Sequence, residues 1–275
     1  MNEKPKVTVL MSLYNTPEKQ LKSAIESVLN QTYENYDILI INDATQDNGV
    51  AIIENYKSNK IQIVHNEKNL GLEGALNKGI KLISSKYIIR MDTDDIALPD
   101  RIQKQVDFME QHPEYAFATG RAYYFDENGI YGISKYSGNV KVKDLLWGTP
   151  FIHPTMILRK ESIEKIGGYP LYRRCEDYAM EFEMYLQGYV GYVMNDILLK
   201  YRLDRNGYQK KKYRDRITET KMKMFYFKKL NVKKVKYINA IKPVLIGLIP
   251  KKVLKEYHRN KFKDNNGEIN EEKIL

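Results

Sequence analysis

The chain is poor in residues that staple or ligate. Its 275 residues include one cysteine, Cys175, which excludes an intrachain disulfide framework and fits a reducing compartment. Of four histidines, none has a second at metal-ligand spacing, so no zinc centre is expected. No stretch reaches the roughly 20 apolar residues that cross a bilayer. No charged segment followed by an apolar one opens the chain, where residues 7–13 already alternate like a strand, so no signal peptide is expected. Internal repeats and low-complexity segments are absent, and no nucleic-acid recognition motif accompanies the positive charge, so nucleic acid is not an expected partner.

What is present is enough apolar material for a sizeable core, 43% of residues with 11% aromatic, and an uneven charge. The net +10 hides a C-terminal concentration: residues 205–263 hold 20 Lys or Arg against 3 Asp or Glu, leaving the rest net acidic. A boundary is therefore expected near 205, between a domain at 1–204 and a basic, helical extension at 205–275 that prefers an anionic surface.

Within the first part, apolar runs at 6–13, 37–41, 61–64 and 87–91 read as strands. Between them, Leu21, Ala24, Ile25, Val28 and Leu29 follow at helical spacing after Thr16-Pro17, which reads as a helix start. Further helices are expected at 72–83, 99–110 and 178–187. This alternation implies a Rossmann-like, mostly parallel α/β sheet with helices on both faces. Ligands then sit beyond the carboxyl ends of the strands, where Ser12 to Asn15, Asn42-Asp43 and Asp92 to Asp95 would share one rim. After residue 115 the pattern loosens into strands at 115–119 and 121–136, with a hairpin turn at 126–129, and at 155–158, 189–195 and 197–202. The part at 1–114 reads as a nucleotide-sugar half and that at 115–204 as an acceptor half.

The most informative run is Tyr87-Ile-Ile-Arg-Met-Asp-Thr-Asp-Asp, a buried strand stopping in three carboxylates. If the backbone stays extended, Asp92 and Asp94 point to one side. Converging carboxylates repel unless a hard cation, Mn²⁺ or Mg²⁺, sits between them and bridges to phosphate. A solvated acidic turn has the same composition.

The order of motifs resembles family 2 glycosyltransferases of the GT-A fold, of the bacterial polysaccharide and lipid-linked glycan type. The matching pieces are Val-Thr-Val-Leu-Met-Ser-Leu-Tyr-Asn at 7–15, Ser-Val-Leu-Asn-Gln-Thr-Tyr at 27–33, Ile-Leu-Ile-Ile-Asn-Asp at 38–43, Asn-Leu-Gly-Leu at 69–72 and Ala-Leu-Asn-Lys-Gly-Ile at 75–80. The Asp92 to Asp95 cluster, Leu-Pro-Asp-Arg at 98–101 and Cys-Glu-Asp-Tyr at 175–178 complete the series. Asn42-Asp43-Ala44-Thr45 departs from the commoner Asp-Asp-Gly-Ser, and Glu73 stands where relatives place small residues.

The resemblance implies an inverting, metal-dependent hexosyltransferase using a UDP-sugar. Asp43 would accept from the uracil N3–H, Tyr14 would pack on the base with Ser12 alongside, and Asn69 would belong to the donor site. Asp92 would contact ribose or sugar and Asp94 would ligate the metal, with Asp95 sharing or exchanging that role. Asp177 matches the general-base position, where helix capping would also favour a carboxylate, and Glu176 is its neighbouring candidate. Trp147 and His153 are candidates for the acceptor cleft, and Arg202 for the diphosphate. A solvated turn residue at Asp43, a packing tryptophan and an exposed ion pair at Arg202 are the bland alternatives. A nucleotidyltransferase would carry a glycine-rich phosphate loop after the first strand, and Ser12-Leu13-Tyr14-Asn15 is not one. The basic segment reads as an interfacial contact with anionic lipid, as a solvated basic helix packed on the domain, or as a nucleic-acid-binding surface, which no recognition motif accompanies. The expected location is cytoplasmic, peripheral at the inner face of the cell membrane, with a glycan or lipid-linked saccharide as acceptor.

Overall fold

The computed structural model describes residues 6–203 and 212–249. Strand β1 (Val7–Leu13) lies between β2 (Tyr36–Asn42) and β4 (Tyr87–Met91), with β3 (Ile61–His65) outside β2, all parallel. Alternate residues of β1 serve opposite faces. Val7, Val9, Met11 and Leu13 join one apolar cluster with α1 (Glu18–Leu29), α2 (Gly49–Glu54) and α4 (Arg101–Gln111). Leu10 joins another with α3 (Gly71–Leu82) and α7 (Glu176–Leu186). Burial on both faces is why these strands read as continuous apolar runs rather than alternating ones. Gly79 of α3 lets Leu10 approach: a Cβ there would meet the Leu10 side chain at 2.3 Å.

Beyond β4 the sheet turns mixed and continues in the order β9 (Ile157–Arg159), β6 (Phe117–Asp126), β10 (Gly191–Arg202) and β5 (Ile96–Ala97). The short β8 (Gly138–Asn139) lies on β10, and the short helices α5 (Val142–Leu145) and α6 (Lys160–Lys165) precede α7. Strand β9 runs antiparallel between β4 and β6, and β10 is parallel to β6. The turn at 126–129 closes a hairpin onto β7 (Gly129–Ile133), as expected. Two strand pairs expected from the sequence are single elements here. Residues 117–126 continue through Gly120, where a Cβ would meet Leu198 at 2.3 Å, and 191–202 continue through a local irregularity between Val193 and Leu199. Helix α2 carried too short an apolar pattern to be read. Pro17 precedes the first turn of α1 rather than occupying it, and Thr16 bonds Thr93 across the rim instead of capping.

The basic segment is, over its described part, packed on the domain. Helix α8 (Tyr213–Lys229) buries Met222, Tyr226 and Phe227 in the core of α7, with the Tyr226 ring stacked 5.1 Å from Phe182 and its hydroxyl donating to Glu183 at 2.9 Å. Burying such side chains contributes about 1.5–3 kcal/mol each. Helix α9 (Ile238–Gly247) follows and buries Ala240. The expected segments at 205–211 and 250–275, Lys251-Lys252 included, lie outside the described residues.

Candidate active site

The chain does not stay extended past Met91. It turns at Thr93-Asp94 and re-enters the sheet as β5 (Ile96–Ala97), antiparallel to β10. That turn, rather than strand alternation, gathers all three carboxylates: Asp92, Asp94 and Asp95 offer oxygens within 4.8 Å of one another. Each is held differently. Arg90, buried in β4, clamps Asp92 through two charge-assisted bonds, Nη1 to Oδ2 at 2.7 Å and Nη2 to Oδ1 at 2.6 Å. Asp95 is fully buried; its Oδ1 accepts from the Arg202 backbone N–H at 2.7 Å, and its Oδ2 has no hydrogen-bond partner. Asp94 is partly exposed, its carboxyl pushed up to about 6 by burial and by the charge of Asp92. Burial, then Asp92 and Asp94, push Asp95 well above the carboxylate range.

Such an arrangement invites positive charge. An orphaned carboxylate oxygen without exposure is costly, and a divalent cation bound by these oxygens would relieve both desolvation and mutual repulsion. The donor set, all carboxylate oxygen, suits Mn²⁺ or Mg²⁺.

Arg202, expected over a diphosphate, grips the same turn. Its Nε donates to the Asp94 carbonyl at 2.9 Å, and its guanidinium lies 4.3 Å over the Phe125 ring. Beneath β4, buried Arg101 of the Leu-Pro-Asp-Arg motif donates from Nη2 to the carbonyls of Arg90 and Pro154, both at 2.8 Å. Burial pulls its pKa down to about 9, so it remains a cation at neutral pH. Sequence reasoning missed Arg90 and Arg101. For Arg90 the available signal was an arginine inside an otherwise apolar strand, which must be paired to be buried; Arg101, at the start of α4, carried none beyond its motif.

Asp43 closes the neighbouring strand and is 1% exposed. Its Oδ1 accepts from Asn66 Nδ2 (2.7 Å) and Leu70 N–H (2.8 Å), and its Oδ2 from Gly71 N–H (3.0 Å). Asn69 donates to the Asp43 carbonyl at 3.2 Å and lies on the surface. Asp43 therefore folds the 66–71 loop onto the start of α3, which leaves Oδ2 as its oxygen with accepting capacity to spare. On the same rim Tyr14 is 49% exposed, and Ser12, beside Ile41 in register, is partly so. Asn15 and Ala44, which follow β1 and β2, adopt positive φ of 49° and 57°. Backbone strain of this kind persists only where surroundings over-determine it.

Across the rim, α7 begins at Glu176-Asp177, after Arg174 at φ 67°. Asp177 is partly exposed, and its Oδ1 accepts from the Tyr178 N–H at 2.8 Å. Glu176 and Glu181 are buried, each with an unpartnered oxygen. Burial and the Asp177 charge push Glu176 up to about 7 and Glu181 well above the usual range. Among these three, Asp177 is the carboxylate a substrate can reach. Three side chains along α7 tie down the 140–149 segment: Tyr178 donates to the Leu145 carbonyl, Tyr185 to the Val140 carbonyl at 2.8 Å, and Thr149 to Glu181 Oε1 at 2.7 Å. That segment presents Trp147, 61% exposed, with Lys242 of α9 5.7 Å from the ring centre.

His153 does not line the cleft as expected. It is buried, shares a 2.9 Å hydrogen bond with the Tyr169 hydroxyl, and is held neutral by burial and by Arg90. Tyr169 is fixed through its backbone by Asn77 of α3, whose Nδ2 donates to its carbonyl (2.8 Å) and whose Oδ1 accepts its N–H (2.7 Å). The preceding Gly168, at φ 87°, leaves no room for a Cβ, which would meet Asn77 at 2.3 Å. The two halves meet around these groups. The Tyr201 hydroxyl lies within reach of the charges of Asp92, Asp95, Arg90 and Asp177, while Glu176 feels Glu73 of α3 as well as Arg90.

The raised Glu176 makes a stability prediction. Its folded value of about 7 lies above the ordinary 4.5, so the native state binds the extra proton and loses stability as pH rises from about 4.5 through 7. Glu176→Gln removes that cost. Thermal melts should show the variant more stable at pH 8 by about 3 kcal/mol and the gap shrinking by pH 5. A constant gap across this range would mean Glu176 is not protonated in the folded state.

A mostly parallel sheet whose strand ends carry an acidic turn, with the partly exposed Asp177 at the start of α7, fits the GT-A fold. The chain belongs to glycosyl transferase family 2, whose family profile matches residues 8–167. EpsE of Bacillus subtilis (strain 168), named as a glycosyltransferase, is 30% identical over 267 residues, 95% of this chain and 96% of that protein. The amylovoran biosynthesis glycosyltransferase AmsE of Erwinia amylovora is 32% identical over 71% of this chain and 75% of its own length. The fold is shared with the S. aureus TarS 1-349 structure in complex with UDP, at a TM-score of 0.63 and 17% identity over 94% of this chain and 88% of that one. It is shared also with the mannosyltransferase PcManGT from Pyrobaculum calidifontis in complex with GDP-Man and Mn²⁺, at 0.62 and 17% over 94% and 72%.

Proposed function

We propose that this glycosyltransferase moves a hexose from a UDP-sugar to a hydroxyl of a lipid-linked glycan, with inversion, at the inner face of the cell membrane. The observation that carries this reading is the gathering of Asp92, Asp94 and Asp95 at one strand end, an acidic site suited to a cation and a diphosphate, with the partly exposed Asp177 at the start of α7 close to the same Tyr201. TarS has been solved with UDP-GlcNAc, and AmsE is named for amylovoran biosynthesis, which supports the donor class and the glycan acceptor.

In this mechanism Tyr14 and Ser12 receive the base, with Asp43 Oδ2 and Asn69 beside it. Asp92, oriented by Arg90, faces ribose or sugar. Asp94, with the buried Asp95 oxygen behind it, would hold Mn²⁺ or Mg²⁺, which supplies charge neutralisation for the departing diphosphate. Arg202 holds the turn that presents them and adds positive charge near the leaving group. The acceptor sugar stacks on Trp147. As its hydroxyl oxygen bonds to C1 and the C1–O bond to the diphosphate breaks, the hydroxyl proton passes to Asp177 and the nucleoside diphosphate leaves. Asp177 lies in the first turn of α7, where the helix dipole favours its anionic form.

The test is a panel of UDP- and GDP-sugars assayed for nucleoside diphosphate release with Mn²⁺ or Mg²⁺. Release from one UDP-sugar well above the others is expected, and preference for a GDP-sugar or release of pyrophosphate would overturn the donor or the reaction class.

A further inference from the structure

Helix α9 is apolar on two opposite sides. Asn239, Ala240 and Pro243 face the body and are buried. Ile238, Ile241, Leu245 and Leu248 recur at helical spacing on the other side, 59%, 39%, 46% and 68% exposed, with Val235 just before the helix. Burial on one side shows that the helix is docked, so its outward stripe is not explained by the core. Every charged residue between positions 233 and 249 is a lysine: Lys233, Lys234, Lys236 and Lys242, all exposed.

We infer that this face of α9 docks on an anionic lipid bilayer, with the four side chains entering the headgroup boundary and the lysines meeting lipid phosphates. The helix spans 10 residues, far short of a bilayer crossing, and among the described residues no helix is long and apolar enough to cross. An exposed apolar stripe rimmed by cations is the pattern of an interfacial helix. A second copy of the chain would instead bring like charges together. The inference deepens the proposed function and rests on it for its consequence alone: Lys242 over Trp147 places this face beside the acceptor segment, so a bilayer here delivers a lipid-linked saccharide to the mouth of the cleft.

Truncation before α8 would strip Tyr226 and Phe227 from the core, so point variants of the full chain make the cleaner test. The intact protein should co-sediment with phosphatidylglycerol-containing vesicles and not with phosphatidylcholine alone. The double variant Leu245→Asp, Leu248→Asp should lose partitioning by roughly tenfold or more, with an unchanged melting temperature. Diphosphate release with a soluble acceptor should be unchanged, since both leucines lie outside the site. Unchanged partitioning of the double variant overturns the inference. So does a wild-type dimer that the variant dissolves without any vesicle binding, or binding that appears only after removal of residues 250–275. If vesicle binding follows the stripe but no sugar is transferred by the wild type, the docking face stands and the catalytic reading falls.

Discussion

Asp177→Asn should lower the turnover number for transfer by roughly 10²–10⁴-fold, the usual contribution of a positioned base, while the affinity for the nucleotide sugar stays near wild type. Asparagine keeps the size and the side-chain oxygen that accepts from the Tyr178 N–H, so the start of α7 is retained and only the proton acceptor is lost. The neighbours are poorly placed to substitute: Glu176 and Glu181 are buried, and burial disfavours their ionised forms. Steady-state diphosphate release with calorimetric donor binding on the same samples separates the two quantities. A variant with normal turnover would remove Asp177 from the mechanism, and one that lost donor binding in parallel would show that the residue shapes the pocket instead.

Chelation is expected to reduce transfer to background, with Mn²⁺ or Mg²⁺ restoring it, and Asp94→Asn should raise the metal concentration needed by about 100-fold. That size follows from removing a ligand outright, where losing a mere outer partner already costs 10–100-fold. Asp94 is the sensitive position because the other two carboxylates have protein partners: Asp92 has Arg90, and Asp95 has the Arg202 N–H. Binding of Mn²⁺ followed by electron paramagnetic resonance, without donor or acceptor, gives a readout independent of activity. Full turnover in excess chelator would refute metal dependence and leave Arg90 and Arg202 as the charges available to the diphosphate.

The first half, residues 1–114, was legible because a parallel sheet covered on both faces writes itself as apolar runs, and its polar strand ends were therefore conspicuous in sequence. Helices α1, α3, α4 and α7 were legible from their spacing. Residues 115–204 were read less well: strands 117–126 and 191–202 are held by cross-strand pairing that local composition does not reveal. Side-chain roles were the least legible. His153 and Trp147 looked equivalent as cleft candidates, yet one is a buried partner of Tyr169 and the other is largely exposed.

By itself the sequence determined the family, the three-layer α/β architecture and the placement of Tyr14, Asp43, the Asp92 to Asp95 turn and Asp177 at the ends of their elements. These follow from local periodicity and motif order, which act over a few residues. Tertiary structure alone decided which carboxylate is clamped, which is buried with an orphaned oxygen and which is reachable, and that the basic C-terminal helices share the core. The reason is physical: desolvation, hydrogen bonding and packing depend on partners far away in sequence, the Arg202 N–H for Asp95 and Phe182 for Tyr226, which only the fold brings together.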